Sequence, residues 1–99
     1  MALTHDEHLL LCLSEECDEV GQRVSKALRF GSTEVQPGQP LNNGERIIVE
    51  LKDLLAVATI LQRRGIIPSF TLFPDEIRAK EQKTEKFMAI SAEQGVLAP

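Results

Sequence analysis

A chain of 99 residues, with 42% apolar and 26% charged residues, is long enough for one compact domain, and this composition excludes a fibrous or disordered protein. The formal net charge of −4, without a block rich in lysine and arginine, argues against a surface that binds duplex nucleic acid. No apolar run reaches the roughly 18 uncharged residues of a membrane span, and the start "MALTHDEH" lacks the layout of a secretory signal. We therefore expect a single domain over residues 1–99, in the cytoplasm, with no membrane partner.

The spacing of apolar residues, capping residues and glycines predicts an all-α fold with three helices. The first helix, over residues 4–29, opens with Thr4 and Glu7 at the spacing of a capping box and ends before Gly31. Its apolar stripe consists of Leu10, Leu13, Cys17, Val20, Val24 and Ala27.

A loop and two further helices complete the predicted fold. The segment "GSTEVQPGQPLNNG" is rich in proline and glycine. Near its end lie Asn42 and Asn43, either of which can cap a second helix over residues 44–64. Gly65 follows as a C-terminal stop. After the apolar connector "IIPSFTLF", Pro74 is a suitable first residue for a third helix over residues 74–93.

Two carboxylates lie within the apolar run "IIVELKDLLAVATIL" of the second helix. Glu50 and Asp53 are three residues apart and therefore adjacent on one face. A helical period of about 100° per residue places both among the apolar side chains and away from the polar strip of that helix. An unpaired carboxylate on a packed face costs several kcal/mol, so each one needs a cation, a donor network or a proton.

The first helix supplies a second pair of carboxylates. In "SEECDEV", Glu16 and Glu19 are three residues apart and lie beside the apolar stripe. Two helices joined by a loop of about a dozen residues most simply pack antiparallel, which brings the two pairs face to face. Four converging carboxylates stay ionised only when a cation compensates them, and oxygen ligands favour a hard ion, first Mg²⁺ and then Mn²⁺.

Basic residues follow the carboxylates along the first helix. Helical spacing leads from Glu19 to Arg23 and Lys26, and Arg29 lies nearby. Such a line suits a polyphosphate, with metal ions on one part of it and basic side chains on the rest. For Arg23 alone we favour an ordinary ion pair with a glutamate of the same helix, which is worth a few tenths of a kcal/mol.

These motifs resemble those of the MazG-like members of the all-α nucleoside triphosphate pyrophosphatases. That family carries E-E-x-x-E on one helix and E-x-x-D on the next, and this chain has "EECDE" at residues 15–19 and "ELKD" at residues 50–53. The stretches "SKALRFG", "QPGQPLNNGERI" and "KTEKFMAISAEQGVL" also resemble the small single-domain members found in phages and bacteria. Thirty residues separate Glu19 from Glu50, slightly more than the common spacing, so the base preference does not transfer.

The resemblance implies Mg²⁺-dependent hydrolysis between the α and β phosphates of a nucleoside or deoxynucleoside triphosphate, giving a monophosphate and pyrophosphate. It implies four metal ligands, Glu16, Glu19, Glu50 and Asp53, with Mn²⁺ as a substitute ion. Glu15 is then a candidate for activating water, with a solvated surface glutamate as the alternative. For a phage-encoded chain, the expected location is the host cytoplasm.

The candidates for substrate contacts are Lys26, Arg29, Phe30, Asn43, Lys83 and Lys86. The first two are expected to contact phosphate; for the two lysines of the third helix, a solvated face is an equal alternative. Phe30 borders the basic end of the first helix and is the candidate for stacking on a base, whereas we expect most of the other phenylalanines in the core. Asn43 either reads a base edge or caps its helix, and we favour the cap.

Two further residue types are assigned no chemistry. His5 and His8 lie in the first turn of the first helix, away from the carboxylates, and are expected to be exposed. Cys12 and Cys17 are spaced like neither a metal knuckle nor a thioredoxin-type pair, so we expect buried, reduced thiols.

Three helices with one broadly apolar member cannot easily cover both sides of that helix in one small chain. We therefore expect a homodimer or higher homo-oligomer in which an antiparallel bundle is completed to a four-helix-type core, as the resemblance also implies. Two alternatives remain open: a phosphoribosyl-ATP pyrophosphatase, which shares the helical acidic arrangement, and a non-catalytic helical module whose carboxylates bind a structural cation or a basic partner.

Overall fold

The computed structural model describes residues 2–70 and 73–98, and these residues form three α-helices and no β-strand, as the sequence predicts. The helices are α1 at His5–Phe30, α2 at Asn43–Arg63 and α3 at Pro74–Glu93. Within the described ranges, no helix is both long enough and apolar enough to cross a membrane.

The chain divides into two compact units, Met1–Ser69 and Phe70–Pro99. The first contains α1 and α2, and the second contains α3. The expected single domain over residues 1–99 stays a prediction. Thr71 and Leu72 of the predicted apolar connector lie outside the described residues.

The start of α1 is set by the predicted capping box. The Glu7 N–H donates to Thr4 Oγ1 at 3.1 Å, and the Thr4 N–H donates to Glu7 Oε1 at 3.0 Å. The hydrogen bonds from the Thr4 backbone and then from its side chain hold the pKa of Glu7 below its usual range. At the other end, the Gly31 N–H donates to the carbonyl of Ala27 at 2.9 Å.

The N-terminal cap of α2 is Asn42, so the preference for Asn43 as the cap is wrong. The Glu45 N–H donates to Asn42 Oδ1 at 2.8 Å, and the Asn42 N–H donates to Glu45 Oε1 at 3.0 Å. Asn43 has already entered the helix as its first residue, and its side chain makes other hydrogen bonds. The cap therefore falls one position earlier, where the backbone is extended.

Both α2 and α3 end in a Schellman motif built on a glycine, at the positions where the sequence predicts a stop. The glycines have positive φ, 73° at Gly65 and 74° at Gly95, a region that other residues rarely adopt. In each motif the residue after the glycine donates its N–H to the carbonyl five positions earlier at 3.0 Å. Pro74 is the first residue of α3, as predicted.

α1 and α2 pack as an antiparallel hairpin. Arg64 Nη2, just after α2, donates to Asp6 Oδ1 in the first turn of α1 at 3.2 Å. At the opposite end, Asn43 Nδ2 donates to the carbonyl of Gly31, just after α1, at 2.9 Å. Because the end of each helix contacts the start of the other, the two helices run in opposite directions, as predicted.

The face of α1 that packs against α2 is partly charged. Its half-buried residues include Leu9, Leu13, Glu16, Glu19, Val20, Arg23, Lys26 and Ala27. Of the predicted apolar stripe, Leu10, Cys17 and Val24 are exposed instead. Cys12 is half-buried and Cys17 is exposed, so the prediction of two buried thiols is wrong. Five residues advance a helix by about 140° beyond a full turn, so the two thiols cannot both face α2.

The core of the single chain is small. Leu61 is the one buried apolar residue in the described part of the chain, and Asn43 is the one buried polar residue. All four phenylalanines are exposed, from 39% at Phe70 to 54% at Phe73 and Phe87, so their predicted burial in the core is wrong for this chain alone. Two paired helices cover only one face of each other, which leaves the remaining apolar faces uncovered.

Candidate metal centre

Three carboxylates from two helices converge midway along the hairpin. Glu16 of α1 and Glu50 and Asp53 of α2 each offer one oxygen, and these three oxygens all lie within 4.8 Å of one another. Glu16 and Glu50 are half-buried, whereas Asp53 is exposed. The cluster therefore lies at the edge of the helix interface and opens to solvent on the side of Asp53.

The electrostatics of this cluster are unfavourable without a cation. The pKa of Glu16 is raised above its usual value, first by desolvation and then by the charges of Asp53, Glu50, Glu19 and Glu15. A proton or a metal ion relieves this repulsion. All three donor atoms are carboxylate oxygens, which hard divalent ions such as Mg²⁺ or Mn²⁺ prefer. A typical zinc site has nitrogen or sulfur ligands, and this cluster has none.

Glu19 and Glu15 lie outside this group of three. Glu19 is half-buried on the same face of α1, about one helical turn after Glu16, and its charge contributes to the raised pKa of Glu16. Glu15 is exposed and makes the smallest of the named contributions to that pKa. The structure thus brings together three of the four predicted ligands and places the fourth next to them along the helix.

The predicted basic line continues on the packed face of α1. Arg23 and Lys26 are both half-buried. The Nη1 atom of Arg23 is buried and has no hydrogen-bond partner among residues 2–70 and 73–98. Among the described residues, Arg23 also forms no ion pair, so the predicted pair with a glutamate of α1 is not observed. A buried guanidinium nitrogen without a partner is costly unless a ligand supplies an acceptor.

Arg29 and Phe30 contact each other at the exposed end of α1. The guanidinium carbon of Arg29 lies 5.0 Å from the centroid of the Phe30 ring, which is cation–π geometry. The Phe30 ring is 44% exposed and remains accessible. Lys83 and Lys86 are exposed on α3, and His5 and His8 are exposed in the first turn of α1, as predicted for the histidines.

The side chain of Asn43 is buried and contacts the loop between α1 and α2. It is 2% exposed, and its Nδ2 donates to the carbonyl of Gly31 at 2.9 Å and to Glu34 Oε1 at 3.2 Å. Both donor positions of the amide are therefore occupied by the loop between α1 and α2. The contacts of Asn43 hold that loop, and they do not leave the amide group free to read a base edge.

A small hollow beside Glu50 contains residues that sequence reasoning missed. Its volume is about 150 Å³, and its lining consists of Gln39, Pro40, Leu41, Arg46, Val49 and Glu50. Arg46 precedes Glu50 by four residues, so helical spacing places both on one face of α2. This spacing could have identified Arg46 from the sequence. No sequence pattern indicated the lining residues that come from the loop, which are Gln39, Pro40 and Leu41.

Comparisons with known protein families, with curated proteins and with solved structures each gave no match to this chain.

Proposed function

We propose that this chain is a Mg²⁺-dependent nucleotide pyrophosphohydrolase, which cleaves the α–β phosphoanhydride of a nucleoside or deoxynucleoside triphosphate and releases a monophosphate and pyrophosphate. The observation that carries the proposal is the convergence of three carboxylate oxygens, from two antiparallel helices, to within 4.8 Å. Structural ion pairs do not explain this cluster, because none of its three carboxylates forms an ion pair with a described residue.

Each acidic residue has a part in this proposal. Glu16, Glu50 and Asp53 would hold the ion, with Glu19, one helical turn further along α1, as the fourth ligand. When bound, Mg²⁺ would polarise phosphoryl oxygens and lower the pKa of water. The water oxygen attacks the α-phosphorus, the bond from that phosphorus to the bridging oxygen breaks, and pyrophosphate leaves. Glu15, exposed beside the cluster, is the candidate acceptor for the proton of the water.

The basic residues of α1 are proposed to bind the phosphates. Arg23 and Lys26 follow Glu19 on the same packed face, so a polyphosphate that starts at the carboxylate cluster reaches them directly. The buried Nη1 atom of Arg23 gains the acceptor that it lacks in the free chain. A guanidinium matches the geometry of phosphate oxygens, which makes this contact strong.

We further propose that the chain acts as a homodimer or higher homo-oligomer. Large apolar side chains are exposed on α2 and α3, among them Ile48, Leu55, Ile77, Phe87 and Met88. Burial of this surface by a second copy gains free energy in proportion to its area. Light scattering at micromolar concentration tests this proposal, and a monomeric mass would contradict it.

The catalytic proposal is tested by incubating the protein with Mg²⁺ and a panel of ribo- and deoxyribonucleoside triphosphates plus phosphoribosyl-ATP, with pyrophosphate as the measured product. Glu50→Gln and Asp53→Asn each keep the shape of the side chain and remove its charge. Because each removes a metal ligand, we expect turnover to fall at least about 100-fold. Chelation of the metal should abolish activity, and Mn²⁺ should restore it.

Asp18→Asn is the matched control, since Asp18 is an exposed carboxylate on α1 outside the cluster. Its turnover should stay close to that of the original chain. Unchanged turnover in both Glu50→Gln and Asp53→Asn would remove these residues from the site. A complete lack of pyrophosphate across the panel would favour the non-catalytic module that binds a cation.

A further inference from the structure

The hollow beside Glu50 adjoins the carboxylate cluster and shares one residue with it. Glu50 lines it and also contributes an oxygen to the carboxylate cluster. Pro40, Leu41 and Val49 supply apolar walls, and Gln39, Arg46 and Glu50 supply polar groups, of which Glu50 is also a proposed metal ligand. Its volume of about 150 Å³ is below the roughly 300–1,000 Å³ of sites that take a whole drug-sized molecule, so it suits one ring of a larger ligand.

Arg46 is held in place within this hollow. Its Nη1 donates to Gln36 Oε1 at 2.9 Å, and both residues are half-buried. Gln36 belongs to the loop between α1 and α2, which is pinned to the start of α2 by the buried Asn43 and by a hydrogen bond of 2.8 Å from the Gly44 N–H to the Ser32 carbonyl. The guanidinium is therefore preorganised, which reduces the entropy lost when it binds a ligand.

Phosphate is the less suitable occupant of this hollow. Phosphate oxygens gain nothing from the apolar walls, and Arg23 and Lys26 already provide half-buried cations on the packed face of α1. A flat heterocycle gains from both features of the hollow, since its faces contact the apolar walls and its edge meets the polar groups.

We propose that the hollow formed by Gln39–Leu41, Arg46 and Val49 binds the base of the nucleotide, and that Arg46 selects bases with an oxo group over bases with an amino group at the same ring position. This inference rests on the proposed function and names the substrate class for the same site. An arginine donates hydrogen bonds and accepts none. It therefore attracts the oxo group at C4 of uracil or C6 of hypoxanthine and guanine, and it opposes the amino group of cytosine or adenine.

The test uses two matched pairs of monophosphates, UMP with CMP and IMP with AMP. In each pair the first member has an oxo group beside a ring N–H, and the second has an amino group beside an unprotonated ring nitrogen. Binding is measured by isothermal titration calorimetry in the presence of Mg²⁺, so the result does not depend on hydrolysis. We expect the oxo member of each pair to bind at least about tenfold more tightly, the size of one charge-assisted hydrogen bond.

Arg46→Gln should reduce the preference in each pair to near unity, because an amide both donates and accepts. Gln36→Leu frees the guanidinium from its anchor and should weaken the preference less. Arg63→Gln removes the same charge from an exposed position at the far end of α2 and should leave the preference unchanged. Thermal melts of each variant verify that the helices are folded.

Three outcomes would overturn the inference: equal binding within both pairs by the original chain, no binding of any of the four monophosphates, or an equal loss of affinity for oxo and amino members in Arg46→Gln. The last would assign Arg46 to phosphate. If the selectivity is found but the panel of triphosphates yields no pyrophosphate, the base site stands and the proposed hydrolysis fails.

Discussion

The hairpin of α1 and α2 and the single helix α3 carry the same kinds of helix-forming signals and reach different degrees of burial. Both regions have a clear start and end in a glycine with positive φ. The hairpin buries Leu61 and Asn43 and has half-buried charges along α1, whereas α3 has no buried residue. Local signals are therefore enough to define a helix, but the proposed chemistry arises only where two helices pack.

Leu61→Ala should have the largest effect on stability. Removing the one buried apolar side chain of the described residues leaves a cavity and should cost about 2–5 kcal/mol in the free energy of unfolding, measured by urea denaturation. Ile90→Ala on α3, where the side chain is 42% exposed, should cost at most about 1 kcal/mol. Equal losses would show that the contrast between the two regions does not hold in solution.

Asn43→Ala should follow, with a loss of about 1–3 kcal/mol, because it leaves the Gly31 carbonyl and the Glu34 carboxylate without their donor. Asn42→Ala removes only the cap of α2 and should cost about 1 kcal/mol. Urea denaturation of the two variants compares the stability contributed by the loop contacts of Asn43 with that contributed by the Asn42 cap. A larger loss for Asn42→Ala would mean that the loop contacts of Asn43 contribute little.

Substitutions at the N-terminal caps should change stability in opposite directions in the two regions. Thr4→Ala removes the capping box of α1 and should cost about 1 kcal/mol. Phe73→Asp gives α3 the side-chain cap that it lacks and should stabilise its first turn by up to about 1 kcal/mol. Amide hydrogen exchange in the first turn of each helix is the measurement. Faster exchange in α3 after Phe73→Asp would show that the Phe73 side chain itself protects that turn.

The smallest expected effect is the pH dependence of stability, since the acidic groups are partly solvated. The folded chain raises the pKa of Glu16, so the stability linked to its protonation is present below its unfolded pKa and is lost as pH rises through the folded value. Mg²⁺ should therefore raise the melting temperature more at about pH 8 than at about pH 5. Glu16→Gln should remove this difference, and its persistence would locate the Mg²⁺ effect elsewhere.

Glu7, in the same helix as Glu16, should affect stability with the opposite pH dependence. Its pKa is lowered by hydrogen bonds from Thr4, so its contribution is present above the unfolded pKa and is lost as pH falls through the folded value. Glu7→Gln should remove this acid limb without changing the response to Mg²⁺ near neutral pH.

Much of the fold could be predicted from local patterns. The helix boundaries match within one residue because capping boxes, Pro74, Gly65 and Gly95 act through neighbouring backbone groups. The carboxylate pairs were found for a similar reason, since a spacing of three residues places two side chains on one helix face regardless of what packs there.

Most of the predictions that failed concerned burial. The positions of Cys17 and of the phenylalanines depend on which arc of each helix meets its neighbour, and apolar character does not specify that arc when more apolar surface is present than two helices can cover. Arg23 was predicted to form an ion pair and instead has a buried nitrogen without a partner among the described residues, because the rotation of α1 places it toward α2.

The sequence by itself determined three helices, their ends and two pairs of acidic residues, because those features depend on interactions within one or two helical turns. Only the tertiary structure decided that Glu16 meets Glu50 and Asp53, that Asn43 holds the loop, and that Arg46 lines a hollow beside the cluster. These relations depend on the register and rotation of one helix against another, which the packing of many side chains sets together and which no short stretch of sequence encodes.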